Sequence, residues 1–151
     1  MKKIFALALV PVLVFCFICP VFADSSDSVI MINGKEAPIA PEMGSVKNIS
    51  GRTFVPVRFV LEYFGFNVTW DGDDKVVLGR NVSGDVFLMQ VSNPMLVLKT
   101  RDDVFSVIEM DVSPVLIEEE GRTYIPVRFL AQAIGYNVSY DELTGTVKLD
   151  I

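Results

Sequence analysis

The chain has 151 residues, of which 13 are basic, 19 are acidic and none is histidine, so its net charge is −6. An acidic chain is a poor candidate for nucleic-acid binding, because neutralising phosphates needs clustered Lys and Arg side chains. The absence of His argues against a catalytic copper or zinc site and against the usual serine and cysteine triads.

Residues 1–23 have the pattern of a secretory signal peptide. Lys2 and Lys3 precede an apolar run over residues 4–19, and Val21-Phe22-Ala23 is a small-residue cleavage signal. An uncleaved membrane anchor is the alternative, but the run is short for a span. A lipoprotein signal is disfavoured because Phe15 and Ile18, rather than small residues, precede the two cysteines. We therefore expect cleavage after Ala23 and a secreted protein.

Cleavage after Ala23 would change the chemistry of the mature chain. It removes two of the 13 basic residues, which leaves 11 against 19 acidic ones, and it removes both cysteines. Residues 24–151 would then have no disulfide, no thiolate metal site and no membrane span. That length fits a single domain that can bury a core.

A hairpin is predicted at the start of the mature chain. The apolar stretch from Val29 to Ile32 suits a strand, and Asn33-Gly34 is a strong signal for a two-residue turn. The return strand over residues 35–39 should be short or lie at a sheet edge, because Pro38 cannot donate to a ladder.

The same motif then occurs twice, 70 residues apart and without a gap. Residues 51–59 read GRTFVPVRF and residues 121–129 read GRTYIPVRF, while residues 65–71 read GFNVTWD and residues 135–141 read GYNVSYD. Chance does not produce this match, so we interpret the chain as an internal duplication with repeats at about 29–80 and 95–151.

Each copy of the motif predicts a strand, a short helix and a second strand. Thr53-Phe54-Val55 suits a strand, and Pro56 suits the first turn of a helix. The following apolar positions share one helical face and end at a glycine suited to a left-handed stop, Gly65 or Gly135. The apolar helical positions are Val57, Val60, Leu61 and Phe64 in the first copy, and Val127, Leu130, Ala131 and Ile134 in the second.

The remaining strands follow from alternating apolar residues between turn signals. They are predicted over residues 66–70, 75–78, 86–91, 95–100, 104–110, 136–140 and 146–151, with turns at 71–74, 101–103 and 141–145. The strand over 86–91 links the two halves. The plan is β-β-(β)-α-β-β, twice.

The NGK turn, the GRT-aromatic-V-P-V-R stretch and the following G-x-N-V-x-W-D stretch together resemble the copper amine oxidase N-terminal-like domain, also called the stalk domain, of secreted bacterial proteins. The resemblance covers nearly the whole chain after residue 23. It implies an α+β fold, with antiparallel sheets packed on short helices as two pseudo-symmetric repeats. It also implies an extracellular accessory module and does not imply amine oxidase activity.

The candidate ligand-binding residues are the arginines that both copies contain and two phenylalanines off the main helical face. They are Arg52, Arg58, Arg122, Arg128, Phe59 and Phe129. The arginines could bind an anionic ligand bidentately. Alternatively they are structural, with Arg58 paired to Asp71 and Arg128 to Asp141.

The aromatic residues of the motif also have two interpretations. Their spacing favours a core role, whereas aromatic rings exposed on a strand would indicate carbohydrate binding. The set consists of Phe54, Phe59, Phe66, Trp70, Tyr124, Phe129, Tyr136 and Tyr140.

No catalytic residue, metal site or cofactor is predicted. A two-carboxylate hydrolase would need an acidic pair held in a cleft, and the acidic residues at 71–74, 118–120 and 141–142 are better interpreted as soluble turns. The acidic turn at 71–74 lacks the spacing of an EF-hand calcium loop.

We therefore expect a secreted, non-enzymatic structural or interaction module of the cell envelope. Its predicted partner is a cell-wall polymer or another envelope protein, with self-association through edge strands left open. The alternative is a peptidoglycan- or carbohydrate-binding module, which exposed strand aromatics would favour. A small secreted hydrolase is the third hypothesis.

Overall fold

The computed structural model describes residues 29–141 and 143–151, so the predicted signal peptide lies outside the described residues. Two seven-residue helices are α1, Val57–Tyr63, and α2, Val127–Ala133, and a short 3-10 helix spans Pro41–Met43. The strands are β1 Ile30–Ile32, β2 Lys35–Glu36, β3 Lys47–Ile49, β4 Arg52–Pro56, β5 Phe66–Asp71, β6 Val76–Asn81, β7 Val86–Gln90, β8 Met95–Lys99, β9 Phe105–Glu109, β10 Val115–Ile117, β11 Arg122–Pro126, β12 Asn137–Asp141 and β13 Thr146–Asp150.

The two copies of the motif meet in a central sheet of order β10-β11-β4-β3. Strands β4 and β11 are antiparallel, with Val55 opposite Ile125 and Phe54 opposite Pro126. The last three residues of each strand, 54–56 and 124–126, are buried, whereas the first two, 52–53 and 122–123, are exposed or half-buried. β3 and β10, which were not predicted from the sequence, flank the pair on either side.

The other two sheets each contain the hairpin that follows one helix. The sheet of order β5-β6-β7-β8-β9 is antiparallel throughout. The sheet of order β12-β13-β1-β2 instead has β1 parallel to β13, with Met31 opposite Lys148. In the five-stranded sheet, β7 lies between the β5-β6 and β8-β9 hairpins and is antiparallel to both neighbours. In the four-stranded sheet, no strand separates the β12-β13 and β1-β2 hairpins, and β13 and β1 pair in parallel.

The helices begin and end where the motif predicts. Pro56 is the last residue of β4 and the N-cap of α1, and Pro126 has the same place before α2. Gly65 and Gly135 have φ values of 79° and 80°, the left-handed conformation that favours glycine after a helix. The φ angle is what favours glycine here, because no atom lies within 4 Å of the space a Cβ would occupy.

One core joins all the sheets. Val60 and Leu61 of α1, and Leu130 and Ala131 of α2, are almost fully buried between the sheets. The fold is thus α+β, as predicted. Neither helix in the described part of the chain has the length or apolarity that crossing a bilayer requires.

Candidate functional site

The four repeated arginines lie in two pairs, and each pair takes one arginine from each copy of the motif. Arg58 and Arg122 line a first cleft of about 270 Å³, and Arg52 and Arg128 line a second cleft of about 290 Å³. The strand register explains the pairing. Pro56 lies opposite Tyr124 and Phe54 opposite Pro126. The antiparallel pairing therefore places the start of α1, with Arg58, near the start of β11, with Arg122, and the start of α2, with Arg128, near the start of β4, with Arg52.

The two clefts have equivalent linings as well as similar volumes. In the first cleft, the floor and one wall are formed by Pro56, Val57, Arg58, Val68, Trp70 and Val77. In the second cleft, the residues 70 positions later take the same places: Pro126, Val127, Arg128, Val138, Tyr140 and Val147. Each cleft therefore presents an apolar floor, a helix-borne arginine and one strand aromatic.

Arg122 has a structural role at one end of the first cleft. Its Nε donates to the carbonyl oxygen of Glu42 at 3.0 Å, and its Nη1 donates to that of Glu120 at 2.6 Å. Nη2 also contacts the Glu42 carbonyl oxygen. The guanidinium thus ties the 3-10 helix to the turn before β11.

Glu120 organises a second polar contact beside Arg122. Its carboxylate lies 2.6 Å from the Lys47 Nζ and accepts a hydrogen bond from the Tyr124 hydroxyl. The hydrogen bond from Lys47, followed by that from Tyr124, lowers the pKa of Glu120. Burial, with the hydrogen bond to Glu120 as the second cause, raises the pKa of Tyr124 to about 12. Glu120 is thus held ionised and Tyr124 neutral.

Arg52 is the equivalent of Arg122 but has a different partner. Its Nε and Nη2 both donate to the Asp111 Oδ2, at 3.2 and 2.7 Å. This hydrogen bonding lowers the pKa of Asp111. Both side chains are 43% exposed, so the pair lies at the surface of the second cleft.

Arg58 and Arg128, the two arginines on the helices, are both exposed. Arg58 Nη1 donates to the Val68 carbonyl oxygen at 3.2 Å and lies 3.4 Å from the Glu62 Oε1. Within residues 29–141 and 143–151, Arg128 makes no hydrogen bond or ion pair. Each of these exposed side chains lines one cleft, and Arg128 also helps to lower the pKa of Asp111.

The arginine–aspartate pairs considered as the structural alternative are not formed among the described residues. The Asp71 Oδ1 accepts the backbone N–H groups of Asp73 and Asp74. Asp141 accepts the backbone N–H groups of Leu143 and Thr144, and lies 3.6 Å from the Lys148 Nζ. Both aspartates therefore cap the hairpin turns, because a short carboxylate satisfies its own local backbone most readily.

The aromatic residues divide into core and cleft members. Phe59 is 8% exposed and belongs to the core, whereas Phe129 is partly buried and lines the second cleft. Trp70 is 38% exposed and Tyr140 is 50% exposed, each beside the arginine of its cleft. Trp70 and Tyr140 were not among the predicted site residues. Each is followed by a turn aspartate at the end of its strand, and this position could have indicated an exposed ring.

The two carboxyl groups with shifted pKa values in the clefts, Asp111 and Glu120, do not have the property that general acid catalysis needs. A general acid at neutral pH needs a raised carboxyl pKa, but the pKa values of Asp111 and Glu120 are both lowered. In the described residues, no group of three or more Asp, Glu, Cys or His side chains could hold a metal ion. An arginine with free donors beside an exposed ring and an apolar floor can bind a carboxylated, ring-bearing ligand.

A comparison with protein families covers nearly all of the described chain. The family model of the copper amine oxidase N-terminal domain matches residues 26–149. No curated protein and no solved structure matches the chain. The chain belongs to the copper amine oxidase N-terminal domain family.

Proposed function

We propose that this chain is a secreted, non-enzymatic interaction module of the cell envelope, and that its two clefts bind a carboxylated cell-wall glycan. The family supports a stalk-like module. The signal-peptide pattern at residues 1–23 supports secretion. The lowered pKa values of Asp111 and Glu120 support a non-enzymatic role, because neither carboxyl group is suited to general acid catalysis.

The observation that carries the glycan proposal is the repeated pairing of an exposed ring with an exposed arginine. Trp70 with Arg58, and Tyr140 with Arg128, line equivalent clefts. A ring face can stack on a sugar ring, and a guanidinium can bind a carboxylate with two parallel hydrogen bonds. Peptidoglycan offers both groups on one polymer.

Two equivalent clefts on one chain would also increase binding to a polymer. When one cleft is occupied, the second meets the same polymer at a raised effective concentration. Two weak sites can then give stable attachment to an insoluble wall. A soluble single-repeat fragment of the glycan should bind much more weakly than the intact polymer.

The test is co-sedimentation of the chain with purified insoluble peptidoglycan at low and high salt, after its mass has shown whether residues 1–23 have been removed. Pelleting that falls with salt would support binding through the arginines, because salt screens exposed charges. Pelleting that persists in high salt would indicate the aromatic residues. No pelleting at either salt would contradict wall binding and favour another envelope protein as the partner.

A further inference from the structure

The outer face of the five-stranded sheet, which points away from the helices, has three rows of side chains running across its strands. The central row is Thr69, Leu78, Leu88, Val97 and Val107. On one side is a row with two cations: Asn67, Arg80, Val86, Lys99 and Phe105. On the other side is a row with two carboxylates: Asp71, Val76, Gln90, Met95 and Glu109.

This outer face is apolar and exposed. Phe105 is 63% exposed, Val107 is 57% exposed, and Leu88 and Met95 are each 39% exposed. Single exposed apolar residues are ordinary, but a contiguous apolar patch with polar residues at its rim marks an interaction surface. The inner face of the same sheet, by contrast, packs on the core through residues such as Phe87 and Leu96.

The second copy of the motif has polar residues at the positions equivalent to the outer-face apolar residues of β6. Leu78 of β6 is equivalent to Lys148 of β13, and Val76 is equivalent to Thr146. Across the four-stranded sheet, the row through Lys148 consists of Ser139, Lys148, Met31 and Glu36. The equivalent row is therefore mostly polar in one sheet and mostly apolar in the other.

We propose that a second copy of this chain covers the outer face, so that two five-stranded sheets pack face to face about a two-fold axis along the central row. This packing places the cation row of each copy over the carboxylate row of the other. Arg80 then lies diagonal to Asp71 of the second copy, and Lys99 diagonal to Glu109 of the second copy. Sheets packed in this way keep their strand directions within about 30°.

The charge arrangement is what selects a second copy as the partner. A two-fold axis along the strands would place cations over cations, which costs binding free energy. With the axis along the central row, the cation row of each copy faces the carboxylate row of the other, and the apolar central rows pack on each other. An isologous interface needs a patch that is complementary to itself, and the outer face meets this requirement. Self-association through edge strands stays a separate prediction.

Sedimentation equilibrium of the purified chain over a series of concentrations tests the proposal, with the mass showing whether residues 1–23 are present. We expect a monomer–dimer equilibrium. Leu78→Lys, which introduces the residue found at the equivalent position 148, should weaken the dimer about 100-fold, because the interface would bury unpaired ammonium groups. Met31→Lys, the matched change on the other sheet, should leave the dimer unchanged.

A charge-reversal cycle tests the predicted axis. Glu109→Lys and Lys99→Glu should each weaken the dimer about tenfold, because each makes two like-charge contacts across the two-fold axis. The double variant should regain most of the affinity. If the chain stays monomeric at every concentration, the proposal is wrong. Residues 1–23 or another protein would then be what covers the outer face. A dimer insensitive to Leu78→Lys, or a double variant without recovery, would also overturn the proposal.

Discussion

Val55 and Ile125 lie opposite each other in the antiparallel pair of β4 and β11, although they are 70 residues apart and occupy the same position in the two copies of the motif. Both side chains are completely buried. Because equivalent residues face each other, each copy contributes one arginine to each cleft. The two clefts therefore depend on this central contact rather than on either copy alone.

Truncating the central contact should destabilise the whole domain. Ile125→Ala removes a fully buried side chain from between two sheets and should lower the free energy of unfolding by about 2–5 kcal/mol. Val82→Ala, at a fully exposed position, should change it by less than about 0.5 kcal/mol. Urea unfolding measures both. Equal effects of the two changes would contradict the central role of the β4–β11 pair.

Arg122 and Arg52 should differ in their contribution to stability, although they are equivalent in the motif. Arg122→Ala should cost about 2 kcal/mol, because it removes charged hydrogen bonds to two backbone carbonyl groups. Arg52→Ala should cost much less, because its ion pair with Asp111 lies at the surface. Thermal unfolding of both variants gives the comparison.

A second measurement checks the Arg52–Asp111 pair directly. Arg52 lowers the pKa of Asp111, so that pKa should rise in the Arg52→Ala variant. An NMR titration of the Asp111 carboxyl group measures the change. An unchanged pKa in the variant would show that the pair is not formed in solution.

Tyr124 should make stability fall at alkaline pH. Its ordinary pKa is 10.0, and burial together with the hydrogen bond to Glu120 raises it to about 12 in the folded chain. A raised pKa stabilises the folded state fully below pH 10, and this contribution is lost as the pH rises from 10 to about 12. The free energy of unfolding should therefore decline over that interval.

Tyr124→Phe provides the control for this prediction. The variant has no phenolic proton to lose, so its stability should decline less steeply between pH 10 and 12 than that of the unchanged chain. All other ionisable side chains are the same in the two proteins, so their contributions cancel in the comparison. If the free energy of unfolding declines equally in both proteins, the loss of stability at alkaline pH comes from groups other than Tyr124.

The motif predicted the elements whose signals are local. Pro56 before an apolar helical face, Gly65 after it and Asn33-Gly34 between two short strands each have a strong backbone preference. Those helix bounds and that hairpin agree with the structure. Strands β3 and β10 were not predicted, because three residues such as Lys47–Ile49 show no period and become strands only by pairing with neighbours.

The clefts could not be predicted from the motif, because they depend on long-range pairing. The parallel contact between Met31 and Lys148 joins the two ends of the chain, and no local pattern specifies it. The interpretation of Trp70 and Tyr140 as core residues followed from their alternation with Phe66 and Tyr136. Both strands extend beyond the core at that end, so the rings are exposed. The ligand-binding role of Phe59 and the arginines stays a prediction.

The measurement that tests the central claim most directly is co-sedimentation of cleft variants with insoluble peptidoglycan. Trp70→Leu with Tyr140→Leu removes both cleft rings and keeps their apolar bulk. Tyr63→Leu is the control, because Tyr63 is 47% exposed on α1 and does not line either cleft. We predict that the double variant binds about 30-fold more weakly than the unchanged chain, since ring stacking contributes about 1 kcal/mol at each of the two sites, and that the control binds normally. Equal pelleting of all three folded proteins would contradict glycan binding in the clefts.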